Sequence, residues 1–144
     1  MAAPVYADTS FLVSLYVQDA NSSRAADAAR AAAPLFLTPL ARHELRNAIR
    51  LCAFRGQITA AQREKALQDM EQDLAAGVLH AAPLDWPKAL RHAEALGRRH
   101  TETLGARGMD ILHVASALAL RSRHFVTFDD RQRRLAGIAG LEVT

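Results

Sequence analysis

The chain has 144 residues and is 50% hydrophobic, which suffices for one buried core, and we predict a single domain over residues 1–144. Its formal net charge of +3 is compatible with a polyanionic partner, while the single cysteine, Cys52, excludes an internal disulfide and a cysteine-based zinc site. The sequence has neither a run of about 18 apolar residues nor a basic, cleavable N-terminal segment, so we predict a cytoplasmic protein without a membrane span or signal peptide.

Short apolar runs alternate with longer stretches of helical pattern along the chain, which predicts strands alternating with helices. Polar residues that cap helices mark several helix starts, namely Asp8-Thr9-Ser10, Thr38, and the pair Thr59 and Gln62. In the first half, the predicted elements are a strand at 5–8, a helix from 11, an alanine-rich helix to Ala33, a strand at 35–38 and helices at 39–56 and 59–77. In the second half, they are a strand at 78–82, a helix at 85–99, a loop at 101–108, a helix from 109, a strand at 124–127, a helix from 129 and a strand at 141–143.

This alternation predicts an α/β fold, because a parallel crossover between strands needs a helix's worth of chain. The predicted architecture is a three-layer α/β/α sandwich with a mostly parallel central sheet. Functional sites of such sheets lie at the carboxyl ends of the strands, where loops and helix N-termini meet. Asp8 and Asp129 follow predicted strands, and Asp110 lies in the first turn of a helix, whose positive end favours an anionic group. We therefore expect these three carboxylates to meet at one edge of the sheet.

Glu44 is a fourth candidate, because it interrupts the inward-looking face of its predicted helix. Leu40 and Ala41 precede it by about one turn and Ala48 follows it by about one turn, and all three are apolar. An ionised carboxylate on such a face is costly unless a partner neutralises it. Asn47 lies nearly one turn after Glu44, where it can orient the carboxylate.

Each of the four acids also has an ordinary structural interpretation. Asp8 and Asp129 are equally consistent with N-caps, Asp110 with a charge that complements the helix dipole, and Glu44 with a partner of a neighbouring arginine such as Arg42. The four taken together are more informative, because two carboxylates ~4 Å apart at an effective dielectric of ~20 repel by roughly 4 kcal/mol. Since the sequence has no cysteine or histidine cluster of zinc spacing, the predicted counter-charge is a hard, oxygen-binding ion, Mg²⁺ or Mn²⁺.

Four motifs in a fixed order carry a family resemblance. They are Val5 to Ser10, Ala41 to Leu45, Gly108 to Ala117 and Phe125 to Asp129. In order and spacing they resemble the motifs of the PIN-domain ribonucleases and, within that family, the VapC-type toxins of bacterial toxin-antitoxin pairs. The third motif is the most specific of the four, and the set spans almost the whole chain. The resemblance implies a complete PIN-like domain.

The same resemblance implies hydrolysis of an RNA phosphodiester bond with one or two divalent metal ions. The acids that it assigns to catalysis and to the metal are Asp8, Glu44, Asp110 and Asp129. It places Ser10 and Thr127 close to them as supporting polar groups. Asp130 is a rival to Asp129, although the Thr-x-Asp pattern favours Asp129. His113, on the helix of the third acid, is open to interpretation as a ligand, but its apolar neighbours favour a place in the core.

The resemblance also implies partners other than RNA. It implies a homodimer and a cognate antitoxin whose C-terminal segment wraps the toxin and obstructs the acidic pocket. The apolar residues Ala53, Phe54 and Ile58 exceed what one helix stripe needs, which suits a partner surface. Arginines near the four acids are candidates for phosphate contacts: Arg42, Arg46, Arg50, Arg107, Arg131, Arg133 and Arg134.

Two other function classes remain open. One is a phosphatase or phosphotransfer protein with Asp8 as the nucleophile, but Ser10 stands where such a site would have a second aspartate. The other is a PIN-like RNA-binding module that has lost catalysis, which the presence of all four acids disfavours. Metal-dependent cleavage of RNA by the purified protein distinguishes the ribonuclease from both.

Overall fold

A computed structural model describes residues 3–32 and 34–144. The predicted end of the alanine-rich helix at Ala33 lies outside the described residues. Over these residues, strands and helices alternate along the chain, as the sequence predicts. The chain divides between Ala82 and Pro83 into two compact units. The prediction of one nuclease domain over residues 1–144 stays a prediction.

The first unit contains three strands and four helices among its described residues. They are β1 (Val5–Ala7), α1 (Thr9–Tyr16), α2 (Ser22–Ala32), β2 (Leu35–Leu37), α3 (Pro39–Phe54), α4 (Ala60–Ala76) and β3 (Leu79–Ala81). Strand β2 pairs in parallel with β1 on one side and with β3 on the other, so that Leu35 lies opposite both Val5 and Leu79. All residues of β1 and β2 are buried, which explains why both strands read as unbroken apolar runs.

The helices of the first unit begin at side-chain caps and bury one face each. The side-chain oxygens of Asp8 and Thr38 accept backbone N–H groups at the starts of α1 and α3, and Thr59 forms the predicted capping box with Gln62 at the start of α4. Helix α1 packs against α2, α3 and α4, and α3 packs against α4. The core between them is apolar, with Phe11, Leu12, Leu45, Ile49 and Met70 fully buried.

The second unit contains three helices and two strands. They are α5 (Trp86–Leu104), α6 (Gly108–Ala119), β4 (His124–Val126), α7 (Asp130–Ile138) and β5 (Glu142–Val143). Strands β4 and β5 are parallel, with Phe125 opposite Val143. Helix α6 packs against both α5 and α7 and is buried over most of its length after Asp110. Among the described residues, no helix is both long and apolar enough to cross a membrane.

Helix α5 is longer than the sequence predicts. Its predicted end near Arg99 is wrong, because the polar residues that suggest a loop over 101–108 form the exposed last turn of the helix up to Leu104. Polar side chains on a solvent-facing helix surface do not oppose helix formation. The helix stops at Gly105, which adopts the left-handed conformation with φ 64° and donates its N–H to the carbonyl oxygen of Thr101.

Candidate metal centre

Asp8 lies directly after β1 and caps helix α1. Its Oδ1 accepts hydrogen bonds from the N–H of Phe11 and from the hydroxyl of Ser10, both at 2.9 Å. The residue is 4% exposed. Asp8 is therefore the N-cap that the ordinary interpretation predicts, and the same contacts fix its carboxylate in place at the end of a strand.

Glu44 lies on α3, half-buried, and its carboxylate contacts the first residue of α1. The hydroxyl of Thr9 donates to Glu44 Oε1 at 3.0 Å. Because Thr9 directly follows Asp8 in the chain, this contact brings the first two predicted acids into one neighbourhood of the first unit. Thr9 is a residue that sequence reasoning missed as a contact of Glu44, since its partner is 35 positions away.

The arginines beside Glu44 on α3 pair with a different acid. Arg42 and Arg46 both donate to Glu71 Oε1 on α4, Arg42 at 3.1 Å. The hydrogen bond from Arg46, together with the positive charge of Arg42, lowers the pKa of the Glu71 carboxyl. Both guanidinium groups therefore pair with Glu71, while the alternative that a neighbouring arginine such as Arg42 neutralises Glu44 stays a prediction. Asn47, the predicted orienting residue, is exposed on α3.

Asp110 lies in the first turn of α6, as predicted. The Nε of Arg107, at the N-cap position of that helix, donates to Asp110 Oδ2 at 3.2 Å. The Asp110 side chain is only 19% exposed, whereas that of Arg107 is largely exposed. The guanidinium of Arg107 therefore fixes the position of this carboxylate at the start of α6.

Asp129 caps helix α7 directly after the strand β4 region. Its Oδ1 accepts the backbone N–H of Gln132 at 3.0 Å, and its own N–H donates to Thr127 Oγ1 at 3.0 Å. Thr127, the predicted supporting residue, is buried. By contrast, the Asp130 side chain is 95% exposed and lies 4.0 Å from Arg133 Nε. This geometry favours Asp129 over Asp130 as the acid that the unit presents.

Two features near Asp129 are not predicted from the sequence, in which Arg133 is only a candidate for a phosphate contact. Arg133 donates from Nη2 to the carbonyl oxygen of Thr127 at 3.1 Å, which ties α7 to the end of the strand. Gln132 is buried, and within the described part of the chain its Oε1 has no hydrogen-bond partner. The run of arginines around these positions predicts a solvated helix face. It indicates neither the bond from Arg133 to Thr127 nor the burial of Gln132.

His113 and Ser116 lie inside the second unit rather than at its surface. His113 is 3% exposed, which agrees with the interpretation of a core histidine. The hydroxyl of Ser116 donates to the carbonyl oxygen of Leu112 at 2.7 Å, so its hydrogen bond is made within its own helix.

The donor chemistry of both units fits a hard divalent cation. Each unit carries two of the predicted acids, Asp8 and Glu44 in the first and Asp110 and Asp129 in the second. Within neither unit do the described residues bring three His, Cys, Asp or Glu side chains together. Carboxylate and hydroxyl oxygens are the ligands of Mg²⁺ and Mn²⁺, and Mg²⁺ in proteins is commonly held by one or two carboxylates with the remaining positions filled by water.

Parallel strands, intervening helices and acids at strand ends and helix starts define an α/β protein with a candidate acidic site. The chain belongs to the PIN domain family, whose model matches residues 5–138. It is similar to the crystal structure of FitAcB from Neisseria gonorrhoeae, with 17% sequence identity, a TM-score of 0.67, and coverage of 96% of this chain and 95% of that chain. The predicted fold class, a PIN-like α/β/α sandwich with a mostly parallel sheet, is confirmed by this likeness. No curated protein sequence matches the chain.

Proposed function

We propose that the chain is a metal-dependent endoribonuclease that hydrolyses RNA phosphodiester bonds, with Asp8, Glu44, Asp110 and Asp129 as its metal-binding acids. Family membership supports a nuclease, since PIN domains are generally nucleases and generally use divalent metals. The observation that carries the proposal is in the first unit, where adjacent hydroxyl groups hold the buried carboxylate of Asp8 and the half-buried carboxylate of Glu44. A helix cap at Asp8 would not need the contact between Thr9 and Glu44.

The role of the protein in this reaction is to hold oxygen ligands in fixed positions. When bound, Mg²⁺ or Mn²⁺ polarises a phosphate oxygen and lowers the pKa of a water ligand. Ser10 fixes one oxygen of Asp8, and Arg107 orients Asp110. Thr127 supports the fourth acid by accepting the N–H group at the start of its helix. These groups hold and orient the four acids, and none of them is proposed to form a covalent bond during the reaction.

Arginine side chains on α3 supply the proposed contacts to RNA phosphates. Arg50 is exposed on this helix and is the clearest candidate, whereas Arg42 and Arg46 pair with Glu71 and would have to leave that pairing to bind a phosphate. A planar guanidinium binds phosphate oxygens through two parallel hydrogen bonds, which suits this role. Such contacts position the RNA backbone and carry no sequence preference.

We further propose that the protein is the toxin of a toxin-antitoxin pair, acts in the cytoplasm and forms a homodimer. The order and spacing of the four motifs support the VapC-type assignment. The end of α3 supports a protein partner, because Phe54 is 85% exposed and lines a surface cleft with Ala53 and Ile58. A reading frame for a small antitoxin next to the gene is the simplest independent support.

The test is cleavage of RNA by the purified protein with Mg²⁺ or Mn²⁺ and with EDTA. Cleavage is expected in the presence of either ion and is expected to stop when EDTA is added. The Asp129→Asn variant should lose cleavage, whereas Asp130→Asn, one residue away and fully solvated, is the matched control and should keep it. Cleavage that persists in EDTA would contradict the metal dependence. RNA binding without cleavage would favour the inactive RNA-binding module instead.

A further inference from the structure

Two adjacent residues at the start of α1 direct their hydroxyl groups to two different acids. Ser10 donates to Asp8 Oδ1 at 2.9 Å, and Thr9 donates to Glu44 Oε1 at 3.0 Å. We propose that Thr9 is a positioning residue, which holds the Glu44 carboxylate in the orientation that binds metal. This inference rests on the proposed function, because it assigns Glu44 to the metal.

The local sequence explains why the two hydroxyls diverge. Asp8 is the N-cap, so Thr9 and Ser10 occupy the first two positions of α1. Successive helical positions point about 100° apart, and the two side chains therefore leave the helix in different directions. Ser10 turns back toward the cap, while Thr9 reaches across to α3, against which α1 packs. Threonine is also β-branched and has restricted rotation about χ1, which limits the positions of its hydroxyl.

Glu44 is the acid of the first unit that most needs such a contact. Asp8 is fixed by its own helix, but Glu44 has a longer side chain with three rotatable bonds. Of the residues one turn away from it on α3, Leu40, Ala41 and Ala48 are apolar and cannot orient it, and Asn47 is exposed. The two arginines nearest to it on α3, Arg42 and Arg46, are engaged with Glu71. Thr9 therefore supplies the Glu44 carboxylate with an orienting hydrogen bond from a different helix.

Partners that orient a metal ligand without touching the metal commonly contribute 10- to 100-fold to metal affinity. The relevant group in Thr9 is the hydroxyl, since valine has nearly the same shape and lacks only the donor. Thr9→Val should therefore weaken Mn²⁺ binding about 10-fold, while Thr9→Ser, which keeps the donor, should bind Mn²⁺ nearly as the wild type does. Thr103→Val, at an exposed threonine near the end of α5, is the matched control and should leave Mn²⁺ binding unchanged.

The experiment measures Mn²⁺ affinity by titration calorimetry on the whole chain and, in parallel, the RNA cleavage rate as a function of Mn²⁺ concentration. In Thr9→Val, the half-saturating Mn²⁺ concentration should rise about 10-fold in both measurements. In a Glu44→Ala background, Thr9→Val should weaken Mn²⁺ binding no further, because the carboxylate that it orients is gone. If Thr9→Val does not fold, Thr9→Ala is measured in its place.

The possible outcomes separate this inference from the proposed function. A wild-type protein that takes up no Mn²⁺ and cleaves no RNA would overturn both. A wild-type protein that binds Mn²⁺ and cleaves RNA, with a Thr9→Val variant of equal Mn²⁺ affinity, would overturn the role of Thr9 alone. A lower melting temperature of the metal-free variant with unchanged Mn²⁺ affinity would assign Thr9 to folding and would likewise overturn the inference.

Discussion

Gln132 donates its backbone N–H to Asp129 Oδ1 at 3.0 Å, so the fourth acid is held by a residue whose own side chain has an unsatisfied atom. Gln132 is 2% exposed, and its Oε1 lacks a hydrogen-bond partner among the described residues. A buried polar atom without a partner costs about 1–3 kcal/mol of stability. The start of α7 therefore combines a well-formed cap with a local loss of stability.

The first prediction concerns this buried amide. Gln132→Leu should raise the free energy of unfolding by about 1 kcal/mol or more, because leucine fills the same space without an unsatisfied acceptor. The backbone bond to Asp129 does not involve the side chain and should survive. Urea unfolding measures the change. Gln132→Glu is the contrasting variant and should be less stable than the wild type at neutral pH, since it buries a charge. A less stable Gln132→Leu would mean that the amide has a partner.

The second prediction separates the two roles of Asp8. Asp8→Asn should abolish RNA cleavage but keep most of the stability, since asparagine caps a helix about as well as aspartate. Asp8→Ala should abolish cleavage and also lower the free energy of unfolding by about 1 kcal/mol, because the bonds from Ser10 and Phe11 lose their acceptor. Cleavage assays and urea unfolding in metal-free buffer test both variants. Cleavage retained by Asp8→Asn would argue against a metal-binding role.

The third prediction concerns the hydroxyl of Tyr16, which donates to Asp73 Oδ2 at 2.7 Å. Burial, followed by the hydrogen bond to Asp73, raises the pKa of Tyr16 far above its ordinary value. The unfolded chain therefore loses this proton first, and the stability that the group contributes is complete below about pH 10 and declines as the pH rises above it.

Tyr16→Phe should remove that contribution. At neutral pH the variant should lose about 1–2 kcal/mol, because Asp73 loses a donor to its charged form. Above about pH 10 the stability of the wild type should fall more steeply than that of the variant. Urea unfolding of both proteins between neutral and alkaline pH gives the comparison. Parallel pH curves would show that Tyr16 titrates normally in the folded protein.

The fourth prediction concerns Glu71, which accepts from both Arg42 and Arg46. The pKa of Glu71 is lowered by these contacts, so its contribution to stability is present above the ordinary carboxyl pKa of about 4.3 and is lost as the pH falls below it. The pairs are about half exposed, so Glu71→Gln should cost less than about 1 kcal/mol at pH 7. The difference from the wild type should shrink in 1 M salt. A larger, salt-resistant loss would show that the network is shielded from solvent.

Local signals in the sequence suffice for the helix starts and the alternation of strands and helices. Asp8, Thr38 and Thr59 cap their helices as predicted, because a cap depends on residues no more than three positions away. The end of α5 is missed because polar residues suit an exposed helix as well as a loop. The stop signal is Gly105, six residues beyond the expected end at Arg99.

The contacts of the candidate site are less predictable than its residues. The acids stand out by their positions, but the bond between Thr9 and Glu44 joins residues in different elements. The same is true of Glu71, which pairs with Arg42 and Arg46, two of the arginines that the sequence offers as partners of Glu44. Such partners depend on how α1, α3 and α4 pack, and spacing along the chain does not encode this.

The cap formed by Asp8 has a consequence for how this protein can change over evolutionary time. One carboxylate begins α1 and also carries the proposed chemistry, so most substitutions there weaken the helix and the activity in a single step. Asparagine, serine and threonine are the replacements that spare the helix. Homologues that have lost catalysis and still fold are therefore expected to carry one of these three residues at position 8. Such a residue would identify a catalytically inactive homologue in a genome.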